Sequence, residues 1–310
     1  SPLAVGMSGN FRQMKRRILN IAVFRKETLY QKMRALIIYL VISAVFIGCT
    51  PILSIDASTQ NVYHFSDTDK NISLLDISET FGTYDGSFVL YDNNLDSWKI
   101  YDLEEATKRI PPESTYKIYD ALLGLESGII TPEHSSMTWN GDAFPFPSWE
   151  ADQDLNSAMQ NSVNWYFQAI DSQLGINRVQ EFLNKIEYGN QTTSSNLDLY
   201  WSDFSLKISP LEQVTLLKKF NTNEFHLNSQ NVFSVKNAIK IASTPNGNFY
   251  GKTGTGRVNG QDINGWFIGY VETSDNSYYF ATNIQSDSNA TGKKAFEITS
   301  DILKKLHIWN

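Results

Sequence analysis

The first 55 residues change abruptly from basic to apolar. Lys and Arg crowd residues 1–34, whereas residues 35–55 carry no charged side chain and no further Lys or Arg follows until Lys70. An uncharged run of about 20 residues is long enough to cross a bilayer core as a helix. The pattern predicts one transmembrane helix over 35–55, with residues 1–34 as a cytoplasmic basic segment and the chain beyond Asp56 outside the cell. A buried core helix is the alternative.

The remaining chain alternates between strand-like and helix-like patterns. Residues 56–80 are polar and irregular, which predicts a juxtamembrane linker before a domain over 81–310. Two β-rich runs, 87–91 and 98–101, flank an Asn-rich turn and predict a hairpin. Helical periodicity appears over 113–128, 156–171, 175–186, 209–220, 231–243 and 293–306, and strand patterns appear over 250–253, 263–272 and 278–285. Strands from both ends around a helical middle predict an α+β fold, with terminal helices on an antiparallel sheet and a helical subdomain.

Composition narrows the function classes. The net charge of −7 and the pI of about 5.2 argue against a nucleic-acid partner. Cys49 is the single cysteine, so an intramolecular disulfide is excluded, and Phe46-Ile47-Gly48-Cys49 is a poor match to a lipoprotein cleavage box. The chain lacks H-E-x-x-H and its four histidines are scattered, so we expect no metal site in it. Because it begins at Ser1 in a sequence that reads as continuous, we expect a fragment of a longer protein.

The tetrad Ser114-Thr115-Tyr116-Lys117 is the first motif that carries chemistry. On a helix, Ser114 and Lys117 share one face, and Ser114 lies in the first turn, where backbone N–H groups point outward. A serine is a weak nucleophile until a base removes its proton, and a desolvated lysine can do so once its pKa falls. The alternative for an isolated tetrad is a capping serine beside a solvated lysine.

Two further motifs follow in order, Ser162-Val163-Asn164 and Lys252-Thr253-Gly254. The ordered set resembles the active site of the serine β-lactamase and penicillin-binding transpeptidase superfamily. The resemblance implies that Ser114 is the acylated nucleophile, that Lys117 is the general base and that Ser162 is a proton shuttle. It also implies that Lys252 and Thr253 bind a substrate carboxylate. Gly254 would permit close backbone approach, and the resemblance implies that the backbone N–H groups of Ser114 and Thr255 form an oxyanion hole.

Further residues resemble class D β-lactamases across about residues 80–308. They are Pro112-Glu113 before the tetrad, Tyr188-Gly189-Asn190, and Trp201 ahead of Leu206-Lys207-Ile208. In that family carbon dioxide adds to the motif lysine as a carbamate, which a tryptophan holds. In this chain the resemblance implies Lys117 and Trp201, although Trp201 as an ordinary core aromatic is an equal alternative. We expect no other cofactor.

Asn164 departs from the class D pattern, which usually has Val there, and the run 161–167 is similar to the sensor domain of BlaR/MecR-type β-lactam receptors. An amide beside Lys117 favours the ammonium form and therefore the loss of carbon dioxide. The resemblance implies a membrane receptor whose partners are β-lactam antibiotics, membrane lipid and, through an upstream protease region, a cytoplasmic repressor. Lys15-Arg16-Arg17 is a weak candidate for cleavage. A membrane-tethered class D hydrolase and a D,D-transpeptidase are the alternatives.

Overall fold

The computed structural model describes residues 61–66, 68 and 70–310, together with Met33. The chain divides into two units, Ser1–Ile55 and Asp56–Asn310, and the sheet and helices below belong to the second. Within the described residues, none of the helices combines the length and the apolar character that a bilayer crossing requires. The predicted basic segment, the predicted membrane helix over 35–55 and the tripeptide Lys15-Arg16-Arg17 lie outside the described residues, apart from Met33, and stay predictions.

Seven described strands form one sheet in the order β1-β3-β2-β7-β6-β5-β4. The strands are β1 (Asn71–Leu74), β2 (Asp85–Asp92), β3 (Ser97–Tyr101), β4 (Lys240–Thr244), β5 (Gly247–Val258), β6 (Gln261–Thr273) and β7 (Ser277–Gln285). The predicted hairpin is confirmed as β2 and β3, which pair antiparallel. All other pairs are antiparallel except β1 with β3, which is parallel, so the sheet is mixed rather than wholly antiparallel.

Helices cover both faces of this sheet and fill the middle of the chain. They are α1 (Ser78–Phe81), α2 (Leu103–Thr107), α3 (Lys117–Glu126), α4 (Leu155–Gln160), α5 (Asn164–Leu174), α6 (Ile176–Ile186), α7 (Pro210–Asn221), α8 (Ser229–Ala238) and α9 (Gly292–Lys305). Strand β2 shows how the two faces arise. Val89 and Tyr91 belong to the larger hydrophobic core with the middle helices, whereas Phe88 and Leu90 belong to the core that α9 covers. Successive strand residues point to opposite faces, so both faces are buried.

Three parts of the secondary structure differ from the sequence-based expectation. The single helix expected over 156–171 is broken into α4 and α5, because Ser162 has a left-handed backbone with φ of 56°. The helix expected over 231–243 ends at Ala238, since the following residues pair with β5 as β4. The segment 56–80, expected to be an irregular linker, contains β1 and α1, and its Tyr63 and Phe65 pack on the larger core.

Candidate active site

Ser114 lies in a tight 3₁₀ turn, Glu113–Tyr116, which leads directly into α3. Hydrogen bonds hold the turn in place on both sides. The Trp266 indole nitrogen donates to the Pro111 carbonyl oxygen (2.8 Å), and the Glu113 amide nitrogen donates to the Trp201 carbonyl oxygen (3.0 Å). Ser114 therefore sits at the start of a helix, as the sequence predicted, although its own turn is tighter than an α-helix; its role as the nucleophile stays a prediction.

Lys117 is fully buried and contacts both the nucleophile and the motif amide. Its Nζ donates to Ser114 Oγ at 2.9 Å and to Asn164 Oδ1 at 2.7 Å. Burial lowers the pKa of Lys117 to about 8, and the nearby carboxyl groups of Asp120, Glu113 and Asp171 oppose that decrease. A lysine with this pKa is about one-tenth neutral amine at pH 7, so it can act as a base.

Ser162 and Lys252 form a second hydroxyl–lysine pair in the site. Lys252 Nζ donates to Ser162 Oγ at 2.9 Å and to the Thr253 carbonyl oxygen at 3.0 Å. Burial lowers the pKa of Lys252 well below its ordinary value, and the positive charge of Lys117 adds to that decrease. Each of the two motif serines is thus hydrogen-bonded to a buried lysine. This arrangement suits the transfer of a proton between the two pairs.

The edge of β5 beyond β4 lies against the Ser114 turn. β4 pairs with β5 only as far as Tyr250, so residues 252–255 extend past the end of β4. A Cβ added at Gly254 would lie 3.1 Å from the Pro112 carbonyl oxygen and 3.2 Å from the Ser114 amide nitrogen. Such contacts are tighter than most real Cβ contacts, so a side chain here would require the Ser114 turn to shift by a few tenths of an ångström. The glycine therefore favours the close approach of the strand to this turn.

A cavity of about 410 Å³ opens over these motifs. Its lining includes the predicted residues Ser114, Ser162, Asn164, Thr253, Gly254 and Thr255. It also includes Phe146, Trp149 and Arg257, which sequence reasoning missed. The Thr255 hydroxyl accepts a hydrogen bond from the Gly292 amide nitrogen at 2.8 Å, which ties the cavity wall to α9. The oxyanion role of the Thr255 backbone stays a prediction.

Trp201 is buried behind Lys117 instead of lining the cavity. The centroids of the Trp201 and Phe167 rings lie 5.3 Å and 5.6 Å from Lys117 Nζ. Aromatic faces at this distance attract a cation. Together with the acceptor oxygen of Asn164, they fit the ammonium form of Lys117, whereas a lysine carbamate would place a negative charge beside that oxygen. The carbamate expected from the class D resemblance therefore fits these residues poorly.

Glu113, directly before the nucleophile, is a buried carboxyl group that the motif analysis left without a role. Its backbone is left-handed, with φ of 53°, and its Oε1 accepts a hydrogen bond from Asn264 Nδ2 at 3.3 Å. Burial raises the pKa of Glu113 to about 8, although that hydrogen bond and Lys117 oppose the increase. An acidic residue next to a nucleophile motif could have been noticed in the sequence. Across residues 61–66, 68 and 70–310, no group of three or more His, Cys, Asp or Glu side chains could hold a metal ion.

Comparisons with known proteins match the part of the chain that carries this site. Residues 79–304 match the family model of the penicillin-binding protein transpeptidase domain. The regulatory protein BlaR1 of Bacillus licheniformis is 43% identical over 305 residues, covering 97% of this chain and 50% of that protein. This chain therefore spans about half the length of that relative.

Solved structures show the same fold. The C-terminal domain of the Bacillus licheniformis BlaR penicillin receptor matches with a TM-score of 0.76 and 45% identity, over 78% of this chain and 99% of that one. A class D β-lactamase from Bacillus subtilis matches with a TM-score of 0.72 and 34% identity, over 80% of this chain and 100% of that one. Both similarities cover the domain that carries the Ser114 site.

Proposed function

The chain belongs to the penicillin-binding protein transpeptidase family and, within it, to the BlaR/MecR-type receptors, and we propose that its Asp56–Asn310 unit is a β-lactam sensor that is acylated at Ser114. In the first step the neutral amine of Lys117 takes the proton of Ser114 Oγ, 2.9 Å away. Ser114 Oγ then attacks the β-lactam carbonyl carbon. The ring C–N bond breaks and an ester forms. The leaving nitrogen takes the Ser162 hydroxyl proton, which the Lys252 ammonium group replaces from 2.9 Å, so that Lys117 keeps the proton it took from Ser114.

The remaining motif residues bind the drug. The backbone N–H groups of Ser114 and Thr255 stabilise the oxyanion. The hydroxyl of Thr253 and the positive charge of Lys252 attract the drug carboxylate. Because Lys252 is buried below the cavity and bonded to Ser162 Oγ at 2.9 Å, it acts on the carboxylate mainly through its field.

The contact between Asn164 Oδ1 and Lys117 Nζ, at 2.7 Å, is the observation that carries the receptor proposal. After acylation Lys117 holds a proton, and the amide oxygen stabilises that ammonium form. The water that would hydrolyse the ester then has no base. A hydrolase turning over at about 10 per second and a receptor acylated for about 10⁴ seconds differ by about 10⁵ in deacylation rate, or about 7 kcal/mol of barrier.

The proposal also covers how acylation of the sensor is signalled across the membrane. In this proposal a lasting adduct signals inward through the predicted membrane helix over residues 35–55 to an upstream protease region, which acts on a cytoplasmic repressor and induces resistance genes. The sensor would then lie outside the cell and the basic segment inside. The similarity to BlaR1 over 97% of this chain supports the assignment.

The test is the intact mass of the full chain, purified in detergent, after one equivalent of penicillin, with Ser114→Ala as the control. A single adduct that lasts for hours and needs Ser114 supports the sensor. Return to the free mass with hydrolysed drug supports the second candidate, a class D hydrolase, which the similarity to the B. subtilis structure favours. No adduct contradicts both, and binding of a D-alanyl-D-alanine peptide would support a transpeptidase.

A further inference from the structure

Two charged residues line the cavity, and the acylation chemistry uses neither of them. They are Arg257, near the end of β5, and Asp262, near the start of β6. Among the described residues, every other residue in the cavity lining is uncharged, because Lys117 and Lys252 are buried and are not part of that lining. Arg257 and Asp262 therefore supply the charges that a bound molecule meets at the cavity wall.

The tight turn between β5 and β6 holds these two residues side by side. Asn259-Gly260 forms the turn, with φ of 50° and 81°, and this dipeptide adopts such left-handed conformations readily in two-residue hairpins. The turn places Arg257 directly opposite Asp262. The next pair is Gly256 with Asn264, so β6 has one extra residue between the two pairs. A bulge of this kind redirects the side chains beside it, and it is common next to active sites.

The accessible charge of this ion pair is positive. Arg257 Nε donates to Asp262 Oδ1 at 2.7 Å, and Arg257 Nη2 donates to Asp262 Oδ2 at 3.2 Å. Both carboxylate oxygens thus face the guanidinium group, and the Asp262 side chain is 18% exposed whereas the Arg257 side chain is 61% exposed. A guanidinium group has five N–H donors, and this contact uses two of them, which leaves donors for an anionic ligand. A pair this exposed contributes little to the stability of the fold.

The position of Arg257 along β5 indicates which part of a β-lactam it meets. Thr253, Thr255 and Arg257 lie on one face of the strand, each about 7 Å from the next at about 3.4 Å per residue. In the proposed function the drug carboxylate lies at Thr253 and the carbonyl oxygen at the Thr255 amide. The ring nitrogen beside that carbonyl carbon leads to the drug carboxylate, and the ring carbon on its other side carries the acylamino side chain. Arg257 therefore lies at the end of the cavity that receives the acyl side chain.

We propose that Arg257, oriented by Asp262, is a specificity-determining residue that binds an anionic group on the acyl side chain of the drug. The favoured ligands are then β-lactams that carry a second carboxylate in that side chain. The guanidinium group can hold such a carboxylate through its free N–H groups, and a cationic side chain meets repulsion at the same place. The inference rests on the proposed function, because the Ser114 adduct fixes which end of the drug faces Arg257.

The test uses three penicillins that share one aromatic side chain and differ at a single carbon of it. Benzylpenicillin has no charge there, carbenicillin has a carboxylate, and ampicillin has an amino group that is largely protonated at pH 7. The second-order rate constant of acylation is measured for each drug on the full chain in detergent, from the intact mass at quenched time points. The ratio of carbenicillin to benzylpenicillin cancels any change that affects both drugs equally.

We expect opposite results from the two members of the pair. Arg257→Gln should lower the carbenicillin ratio by about threefold, the size typical of one exposed charge pair, and should raise the ampicillin ratio. Asp262→Asn should raise the carbenicillin ratio, because it leaves the guanidinium charge without its counter-charge. Salt at about 0.5 M should move the wild-type ratio toward that of Arg257→Gln, because it screens an exposed charge.

Two controls separate the charge of Arg257 from other effects. Arg178→Gln removes the same charge from an exposed position on α6 that does not line the cavity, and it should leave both ratios unchanged. Arg257→Lys keeps the positive charge and should retain most of the wild-type preference for carbenicillin. Near-ultraviolet circular dichroism checks the folding of each variant. If Arg257→Gln fails to fold, Asp262→Asn and the salt series still test the proposal.

The outcomes are distinct from those of the proposed function. If Ser114 is acylated but folded Arg257→Gln keeps the wild-type ratios, the specificity role is wrong while the sensor proposal stands. If the adducts are short-lived, the sensor proposal fails, and the same ratios, read from the rates of drug hydrolysis, still decide the role of Arg257. If none of the three drugs acylates the wild type, both proposals fail. A carbenicillin ratio that falls in Arg257→Gln and rises in Asp262→Asn supports the inference.

Discussion

Replacing Asn164 by Val removes the acceptor that faces the general base. Asn164 Oδ1 lies 2.7 Å from Lys117 Nζ, which is a short hydrogen bond to a charged donor. Valine fills nearly the same space and leaves the ammonium group with Ser114 Oγ and two aromatic rings as neighbours. The substitution therefore acts on the charge state of Lys117 more than on the shape of the cavity.

The size of the effect follows from that hydrogen bond. A hydrogen bond to a charged group contributes about 1.5–3 kcal/mol, which corresponds to about one to two pKa units. The pKa of Lys117, already lowered to about 8 by burial, should fall further, so that much more neutral amine is present at pH 7. Because the neutral fraction of Lys117 at pH 7 can rise only from about one-tenth to nearly one, deacylation should accelerate by about 5- to 10-fold. That is only part of the roughly 7 kcal/mol that separates a receptor from a hydrolase, so we expect a slow β-lactamase.

The assay is the lifetime of the penicillin adduct by intact mass, at fixed bicarbonate concentration, for wild type, Asn164→Val and Asn164→Asp. The Asp variant keeps an acceptor oxygen at the same place and should hold its adduct at least as long as wild type. A folded Val variant whose adduct lasts as long as the wild-type adduct would refute the idea that the Asn164 amide controls the charge of Lys117.

Three further predictions test other parts of the site and fold. The acylation rate constant should rise with pH, with a midpoint near 8, as Lys117 loses its proton; stopped-flow acylation with a fluorescent penicillin measures it, and a flat profile through that pH would exclude Lys117 as the base. Gly254→Ala should slow acylation by about tenfold or more, since the new Cβ would push the strand away from the Ser114 turn; equal acylation rates would show that the turn can yield. Arg109→Met should lower the free energy of unfolding by about 3 kcal/mol in chemical denaturation, because it leaves the buried Glu212 carboxylate without its ion-pair partner. Adding Glu212→Met should restore most of that loss, and an unchanged unfolding midpoint in the single variant would contradict the argument.

Sequence periodicity predicted a strand or helix correctly where the residues of that segment alone specify it. The hairpin of β2 and β3, the strands β6 and β7 and the closing helix α9 each carry their periodicity within one run and were found within a few residues. Long-range pairing was not visible in the same way. β1 forms because it meets β3 in parallel, and β4 forms because it meets β5. Their own residues give weak strand signals, and tertiary contacts overrode the helical pattern after Ala238.

The residues of the site divide in the same way, into those that short motifs predict and those whose importance depends on the fold. The three motifs include Ser114, Ser162, Asn164, Thr253 and Gly254, which line the cavity, whereas Lys117 and Lys252 are buried and are not part of its lining. The order of the motifs narrows the choice of superfamily, and the roles of these residues stay predictions. Glu113 was named only as part of the class D resemblance and was given no role, because its burial is something that no short motif records. Trp201 was named, but its position behind Lys117 could come only from the fold.

The break between α4 and α5 allows the second motif, Ser162-Val163-Asn164, to direct both of its polar side chains into the site. In one continuous helix, residues two apart are separated by about 200° around the axis, so Ser162 and Asn164 would face opposite directions. The left-handed backbone of Ser162 ends one helix before the next begins at Asn164. As a result Ser162 reaches Lys252 while Asn164 reaches Lys117, at 2.9 Å and 2.7 Å. The left-handed residue thus brings the Ser162 hydroxyl and the Asn164 amide, the proposed proton-transfer and charge-controlling groups, to the same cavity. A substitution that restored a continuous helix would remove both contacts together.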